Sequence, residues 1–321
     1  MSRVFIHSCH GSLEYDQAKM FLGIDHHVAG NFDVGSPHRP KIKGVTDVSY
    51  PYELGLEEAD FYVLHQCEDY SNVFERYAVQ RAARGPVILN LFGQGCEDQH
   101  KHTVEVLNTH RNAYAVSYSH KDHNHLLDLG AHPDKVRMIR FGKDLSEFRE
   151  HGGWSGRLPV AYMSCNCIQH RNEGTSWPMF NELMKTDVPL VLSGDDSRRH
   201  PYGIGTLDYA TIRAMYRQCS VYVSLGTAPA PLVLTLIEAI CTGTPVIAYN
   251  NGCGIAGEQL DGVKIVNNVV DLYHAIWAAT RMLTHPEKLA WHDKMVKLAD
   301  SEFDMEIVSR KWDEFMRGMV I

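Results

Sequence analysis

The stretch APAPLVLTLIEAICTGTPVIA, Ala228 to Ala248, carries a single charged residue, Glu238, among apolar and small ones. It reads as a loop, a helix and a strand in turn. Pro231 suits the first helical position, where its missing amide donor costs nothing, and Gly243 suits the left-handed residue that closes a helix. The expectation is a helix over Pro231–Thr242 between strands at Val221–Leu225 and Pro245–Tyr249. On such a helix Pro231, Thr235, Glu238 and Thr242 share one narrow face, while Leu232, Val233, Leu236, Ile237, Ala239 and Ile240 cover the rest.

Two readings of Glu238 stand. The polar stripe is either the solvent side of the helix, or it faces the carboxyl ends of parallel strands, where open α/β sheets bind ligands. In the second reading the amides around Leu232, Val233 and Leu234 would attract a phosphate. Thr235 and Glu238 would follow along the same face, and the carboxylate would accept hydrogen bonds from ligand hydroxyls. A diphosphate with a ribose fits that spacing.

Outward from this stretch, strands alternate with helical patterns. Arg3–Ser8, Phe61–His65, Pro86–Phe92, Ala113–Tyr118 and Val136–Phe141 read as short buried strands, with helical stretches such as Asn72–Ala83 and His120–Gly130 among them. The pattern breaks at His151–Gly156 and restarts with Val160–Ser164, Leu190–Ser193, the two strands already named and Lys264–Val266. The alternation predicts an α/β protein with mostly parallel, doubly wound sheets. A chain of 321 residues exceeds what one core serves, so two domains of about 150 residues are expected, 1–150 and 151–301.

Composition narrows the function classes. Hydrophobic residues at 44% and charged residues at 22% exclude a disordered chain, and no long uninterrupted apolar run suggests a membrane span. MSRVFIHSCHG has too short an apolar core for a secretory signal, and the eight scattered cysteines lack the spacing of a disulfide scaffold, so a cytoplasmic location with reduced thiols is expected. With 31 basic residues against 39 acidic ones, strong nonspecific affinity for a polyanion is not expected. Thirteen of the 19 histidines fall in the first 150 residues.

The stretch from Leu232, LVLTLIEAICTGTPVIA, resembles the signature of the retaining GT-B glycosyltransferases of family four, in which a Glu-x7-Glu motif runs into EA-x-x-x-G-x-PVIA. KVRMIRFGKDLSEF (Lys135–Phe148), LVLSGDD (Leu190–Asp196) and IRAMYRQCSVYVSL (Ile212–Leu225) resemble further segments of that family in the family's order. The resemblance implies two Rossmann-like domains facing a central cleft, the first for the acceptor and the second for the nucleotide-sugar. It also implies a last helix, 302–321, that returns to the first domain. The implied activity is transfer of a sugar from a nucleotide-diphosphate-sugar, a UDP-sugar first among them, to a hydroxyl acceptor with retained configuration. No metal and no further cofactor is implied.

Residue by residue, the second motif Glu corresponds to Glu238, which in the family binds ribose hydroxyls, whereas the first falls at Ala230. Where the family carries a donor-phosphate Arg and Lys, this chain has Cys167 and Glu173; Arg171, Arg198 and Arg199 are the candidate replacements. His65, closing a buried strand, matches a histidine placed near the sugar, and Gly11 with Ser12 resembles a small-residue loop facing the donor. Because Ala230, Cys167 and Glu173 depart from the pattern, an inactive nucleotide-sugar binding protein stands beside the transferase, and a nucleotide-sugar epimerase on the same fold is a third reading. Small soluble members include phage enzymes that glucosylate hydroxymethylated DNA bases, so DNA is a candidate acceptor, with Arg39, Lys41 and Lys43 offering a local basic groove.

Overall fold

The computed structural model describes residues 2–7, 11–31, 42–47, 59–65, 85–91, 97–166, 168, 176–226, 233–250 and 255–319. The chain divides into two compact units. The first comprises Met1–Gly142, Ala230–Leu232 and Met305–Ile321, the second Lys143–Pro229 and Val233–Asp304.

In the first unit the strands are β1 (Arg3–His7), β2 (His27–Asn31), β3 (Val45–Asp47), β4 (Phe61–His65), β5 (Val87–Asn90), β6 (Ala113–Ser117) and β7 (Val136–Met138). They form a parallel sheet in the order β3-β2-β1-β4-β5-β6-β7. FYVLH and VILN are buried at every position, as strands covered by helices on both faces must be. Phe5, Tyr62, Leu64, Leu89, Leu107 and Val136 contribute to one cluster of this core. The helix Met305–Arg317 belongs to this unit. Its Trp312 is edge-on to Phe21, with ring centroids 5.3 Å apart, and its Phe315 is edge-on to Tyr114 at 5.9 Å.

The second unit holds β8 (Leu158–Ser164), β9 (Leu190–Ser193), β10 (Gly203–Gly205), β11 (Cys219–Ser224), β12 (Val246–Tyr249) and β13 (Lys264–Val266). These are parallel in the order β10-β9-β8-β11-β12-β13. Two of its helices start on side-chain caps: the Asp208 carboxylate accepts from the Thr211 amide at 2.7 Å, and Thr284 with Glu287 forms a capping box ahead of His285–Leu298. In both sheets the unit's first strand lies beside its fourth or later-returning strand, β1 beside β4 and β8 beside β11. The strand order reverses there, and it is outside the carboxyl ends of the strands at such a point that open α/β sheets bind ligands.

Several elements differ from expectation. The strands β2, β3 and β10 carry no apolar run, and all three lie at or next to a sheet edge, where burial does not demand one. Val136–Met138 is shorter than the expected Val136–Phe141, and the helix from His120 ends at Asp128 instead of Gly130. The expected helix Asn72–Ala83 lies outside the described residues. The division between the units falls at Gly142/Lys143, ahead of the expected boundary at 150, because the segment 143–150 is bonded within the second unit. Arg149, for example, pairs with Asp300 at 2.7 Å.

Candidate functional site

The helix after β11 runs Leu234–Thr242, not from Pro231. Val233 is its N-cap in extended conformation, with φ −120° and ψ 96°, and no side chain caps it. The Leu236 amide already bonds the Val233 carbonyl at 3.1 Å, so the first-turn amides left to face outward are those of Leu234 and Thr235. The expected trio of Leu232, Val233 and Leu234 is therefore shifted along the chain, and Leu232 itself lies outside the described residues. At the other end Gly243, at φ 77° and ψ 15°, closes the helix by donating to the Ala239 and Ile240 carbonyls.

Glu238 does not face solvent. It is buried, with the Lys143 ammonium 3.0 Å from Oε1 and the Tyr216 hydroxyl donating to Oε2 at 3.4 Å. This overturns the solvent-stripe reading, and Thr242 on the same stripe is buried too. Lys143 is itself fully buried, and its own amide donates to the Phe303 carbonyl at 2.8 Å. Two charges out of water are tolerable only as a pair, since each alone would carry a desolvation cost of several kcal/mol.

Around the pair lie three buried tyrosines. Tyr162, Tyr216 and Tyr222 meet edge to face with centroids 5.4 to 6.1 Å apart. Burial pushes the Tyr162 hydroxyl up to about 12, and burial together with the Glu238 charge pushes Tyr216 well above its ordinary range. These hydroxyls therefore remain protonated. Tyr162 shares a 2.6 Å hydrogen bond with Ser193. The result is a buried polar layer of Ser193, Tyr216, Glu238 and Lys143 beside the β8/β11 strand reversal, with the half-buried Thr235 on the same helix as Glu238.

The arginine candidates sit apart from that layer. Arg198 and Arg199 are exposed on the short turn Ser197–Arg199 after β9. Arg199 pairs with Asp196 at 3.6 Å and Arg198 donates to the Ile204 carbonyl at 3.5 Å; among the described residues neither bonds the Leu234–Thr242 helix. Arg171, Cys167, Glu173 and Ala230 lie outside the described residues, as do Arg39 and Lys41.

In the first unit His65 closes β4 beside the β1/β4 reversal and is buried. Its Nε2 contacts Gln17 Oε1, which also accepts from Asn90 Nδ2 at 3.1 Å. Asn90 Oδ1 accepts from the Tyr118 hydroxyl at 2.8 Å, and the Tyr118 carbonyl accepts from Arg140 at 3.0 Å. Gly11 and Ser12 begin the helix Gly11–Gly23 and are not part of a loop. Among the described residues no cluster of three or more metal-ligating side chains is present.

Lys143, Tyr216, Gln17 and Asn90 were not singled out from the sequence. Asn90 had a signal of the kind that picked out His65: each is the polar residue that ends an apolar strand, and the two are register partners across β4 and β5. Lys143 had none, since a lysine after FG in FGKD reads as an exposed loop residue.

No protein-family model and no curated protein matches this sequence. Solved structures match over the whole chain. A glycosyltransferase from Rickettsia africae ESF-5 is similar at a TM-score of 0.75 and 14% identity, over 100% of this chain and 99% of that one. HepE of Anabaena in complex with UDP-glucose is similar at 0.69 and 13%, over 99% and 100%. An alpha-glucosyltransferase in complex with UDP and a 13-mer DNA containing a HMU base is similar at 0.68 and 10%, over 98% and 99%. These likenesses establish the fold: an α/β chain of two Rossmann-like units with the GT-B architecture.

Proposed function

We propose that the protein is a nucleotide-sugar-dependent glycosyltransferase that moves a sugar from a UDP-sugar to a hydroxyl acceptor with retention. The observation that carries this is the GT-B fold along the entire chain, shared with HepE, which is solved with UDP-glucose. In the proposed reaction the bond from the anomeric carbon to the diphosphate breaks, the acceptor oxygen bonds that carbon, and its proton passes to the departing diphosphate. The amides of Leu234 and Thr235, with Arg171 as the candidate arginine, stabilise the charge on the leaving group. Glu238 accepts ribose hydroxyls, as a carboxylate offers about four acceptor positions. His65 contacts the transferred sugar.

For the acceptor, the likeness to a glucosyltransferase solved with DNA makes a hydroxymethylated DNA base the first to try. The formal charge of −8 leaves the affinity to a local surface, which must also offset the cost of extruding the target base. A second reading, a nucleotide-sugar binding protein without turnover, is favoured by the prior engagement of Glu238 with Lys143.

Thermal unfolding with a panel of nucleoside diphosphates and nucleotide-sugars tests the donor, because a ligand at 100 times its Kd adds about 2.7 kcal/mol. A shift with UDP and UDP-glucose, followed by slow hydrolysis of UDP-glucose without acceptor, supports the transferase. Binding with no turnover on any acceptor supports the second reading, and no shift with any nucleotide removes both.

A further inference from the structure

Four polar side chains of the first unit, Gln17, His65, Asn90 and Tyr118, are buried together at the carboxyl ends of β4, β5 and β6. A sheet core gains nothing from them that apolar residues would not supply, and each costs free energy unless its hydrogen bonds are complete. Three of them form a hydrogen-bonded chain. The Tyr118 hydroxyl donates to Asn90 Oδ1, and Asn90 Nδ2 donates to Gln17 Oε1. Burial pushes Tyr118 well above its ordinary range, so the hydroxyl keeps the proton that it gives to Asn90. The chain ends on the carbonyl oxygen Gln17 Oε1, which lies against His65 Nε2.

A carbonyl oxygen only accepts, so the nitrogen that meets it must carry the hydrogen. We infer that Gln17 is a positioning residue that locks His65 in the Nε2–H tautomer, making Nδ1 a hydrogen-bond acceptor for a hydroxyl of the transferred sugar. In that role His65 orients the sugar by accepting and carries no proton to the leaving diphosphate. The sugar contact rests on the reading under Proposed function; the tautomer and its cause do not. If both amides in the chain were turned over, Gln17 would offer His65 a donor and Nδ1 would hold the proton, so the assignment is open to direct measurement.

The measurement is a long-range proton–nitrogen correlation spectrum of the full chain labelled with ¹⁵N-histidine at neutral pH, with His65 identified by its loss in His65→Gln. The expected result is a proton on Nε2, a bare Nδ1, and a mixture of tautomers in Gln17→Met. Gln17→Glu, which keeps an acceptor at the same place, restores Nε2–H and serves if Gln17→Met does not fold. A proton on Nδ1 in the native protein, or a tautomer mixture there, overturns the assignment. So does an unchanged tautomer in Gln17→Met. UDP-glucose, and not UDP, should then shift Nδ1, and Gln17→Met should weaken UDP-glucose about threefold to tenfold relative to UDP. An Nε2–H tautomer that depends on Gln17 while Nδ1 ignores UDP-glucose leaves the positioning intact and counts against the sugar contact alone.

Discussion

Lys143 Nζ lies 3.0 Å from Glu238 Oε1, in an ion pair whose side chains are 0% and 8% exposed. The two residues are 95 positions apart in the chain. Lys143 also bonds its amide to Phe303 and bridges to Asp304, so one residue anchors the start of the second unit, its end and its Leu234–Thr242 helix.

Removing one partner leaves the other charge buried. Glu238→Ala should therefore lower stability by about 3–5 kcal/mol, while Lys143→Met combined with Glu238→Leu should recover most of that loss. Urea unfolding of Glu238→Ala and of the double variant checks this. If Glu238→Ala unfolds at the native midpoint, the pair is solvated and the burial argument fails. The same cost means that donor affinity in a Glu238 variant is interpretable only where the variant is shown to be folded.

Gly243 ends the helix at φ +77°, and a Cβ there would stand 2.4 Å from His292 Cε1. His292 bonds the Gly243 carbonyl at 2.7 Å and stacks on Trp154 at 5.4 Å, and the Trp154 indole donates to the Cys219 carbonyl at 2.7 Å. Gly243→Ala should cost about 1–2 kcal/mol for the left-handed backbone alone, and the displaced imidazole adds to it. It should also change the near-ultraviolet circular dichroism of Trp154. A variant with native stability and native tryptophan signal would contradict the close packing.

Trp312 of the helix Met305–Arg317 is 1% exposed and packs against Phe21 and Phe315. Trp312→Ala should cost about 3–5 kcal/mol, read from the urea midpoint. A loss below about 1 kcal/mol would mean that this helix adds little to the first unit's core.

The parts of the fold legible in the sequence are those where burial forces a pattern. FYVLH and LVLS match the observed strands residue for residue, because buried parallel strands need apolar runs, and the edge strand KIV matches too although only its Val266 is buried. HVAGN, VTD and GIG pair as well as the others but lie at or beside an edge, so the periodicity that reveals strands is missing from them. The candidate site divides in the same way. Spacing marked Glu238 as special, since a lone carboxylate in an apolar helix has to be explained. Its partner Lys143 follows a strand in a distant segment, and Gln17 meets His65 across 48 residues. No local rule connects such pairs; only the strand order brings them together.

Three histidines, His26, His123 and His200, hold their protons less firmly than the ordinary value of 6.5. Burial is the main cause in each. His26 lies edge-on to Phe21, with Asp313 opposing the effect and Arg317 adding to it; His200 lies against Trp177 and Phe180, with Asp196 opposing and Arg199 adding. For His123, His120 and Arg137 add to burial. A base with a lowered folded value is neutral in both states above 6.5, where it has no effect on stability. As the pH falls through 6.5 the unfolded chain takes up protons that the folded chain refuses, so the folded state loses ground until the folded values are reached. The urea midpoint should therefore be lower at about pH 5.5 than at about pH 7.5, with net proton uptake on unfolding. His26→Phe and His200→Phe should each reduce that difference, since each removes one group that the unfolded state alone protonates. A pH dependence that is the same in both variants as in the native protein would assign the acid sensitivity to other groups.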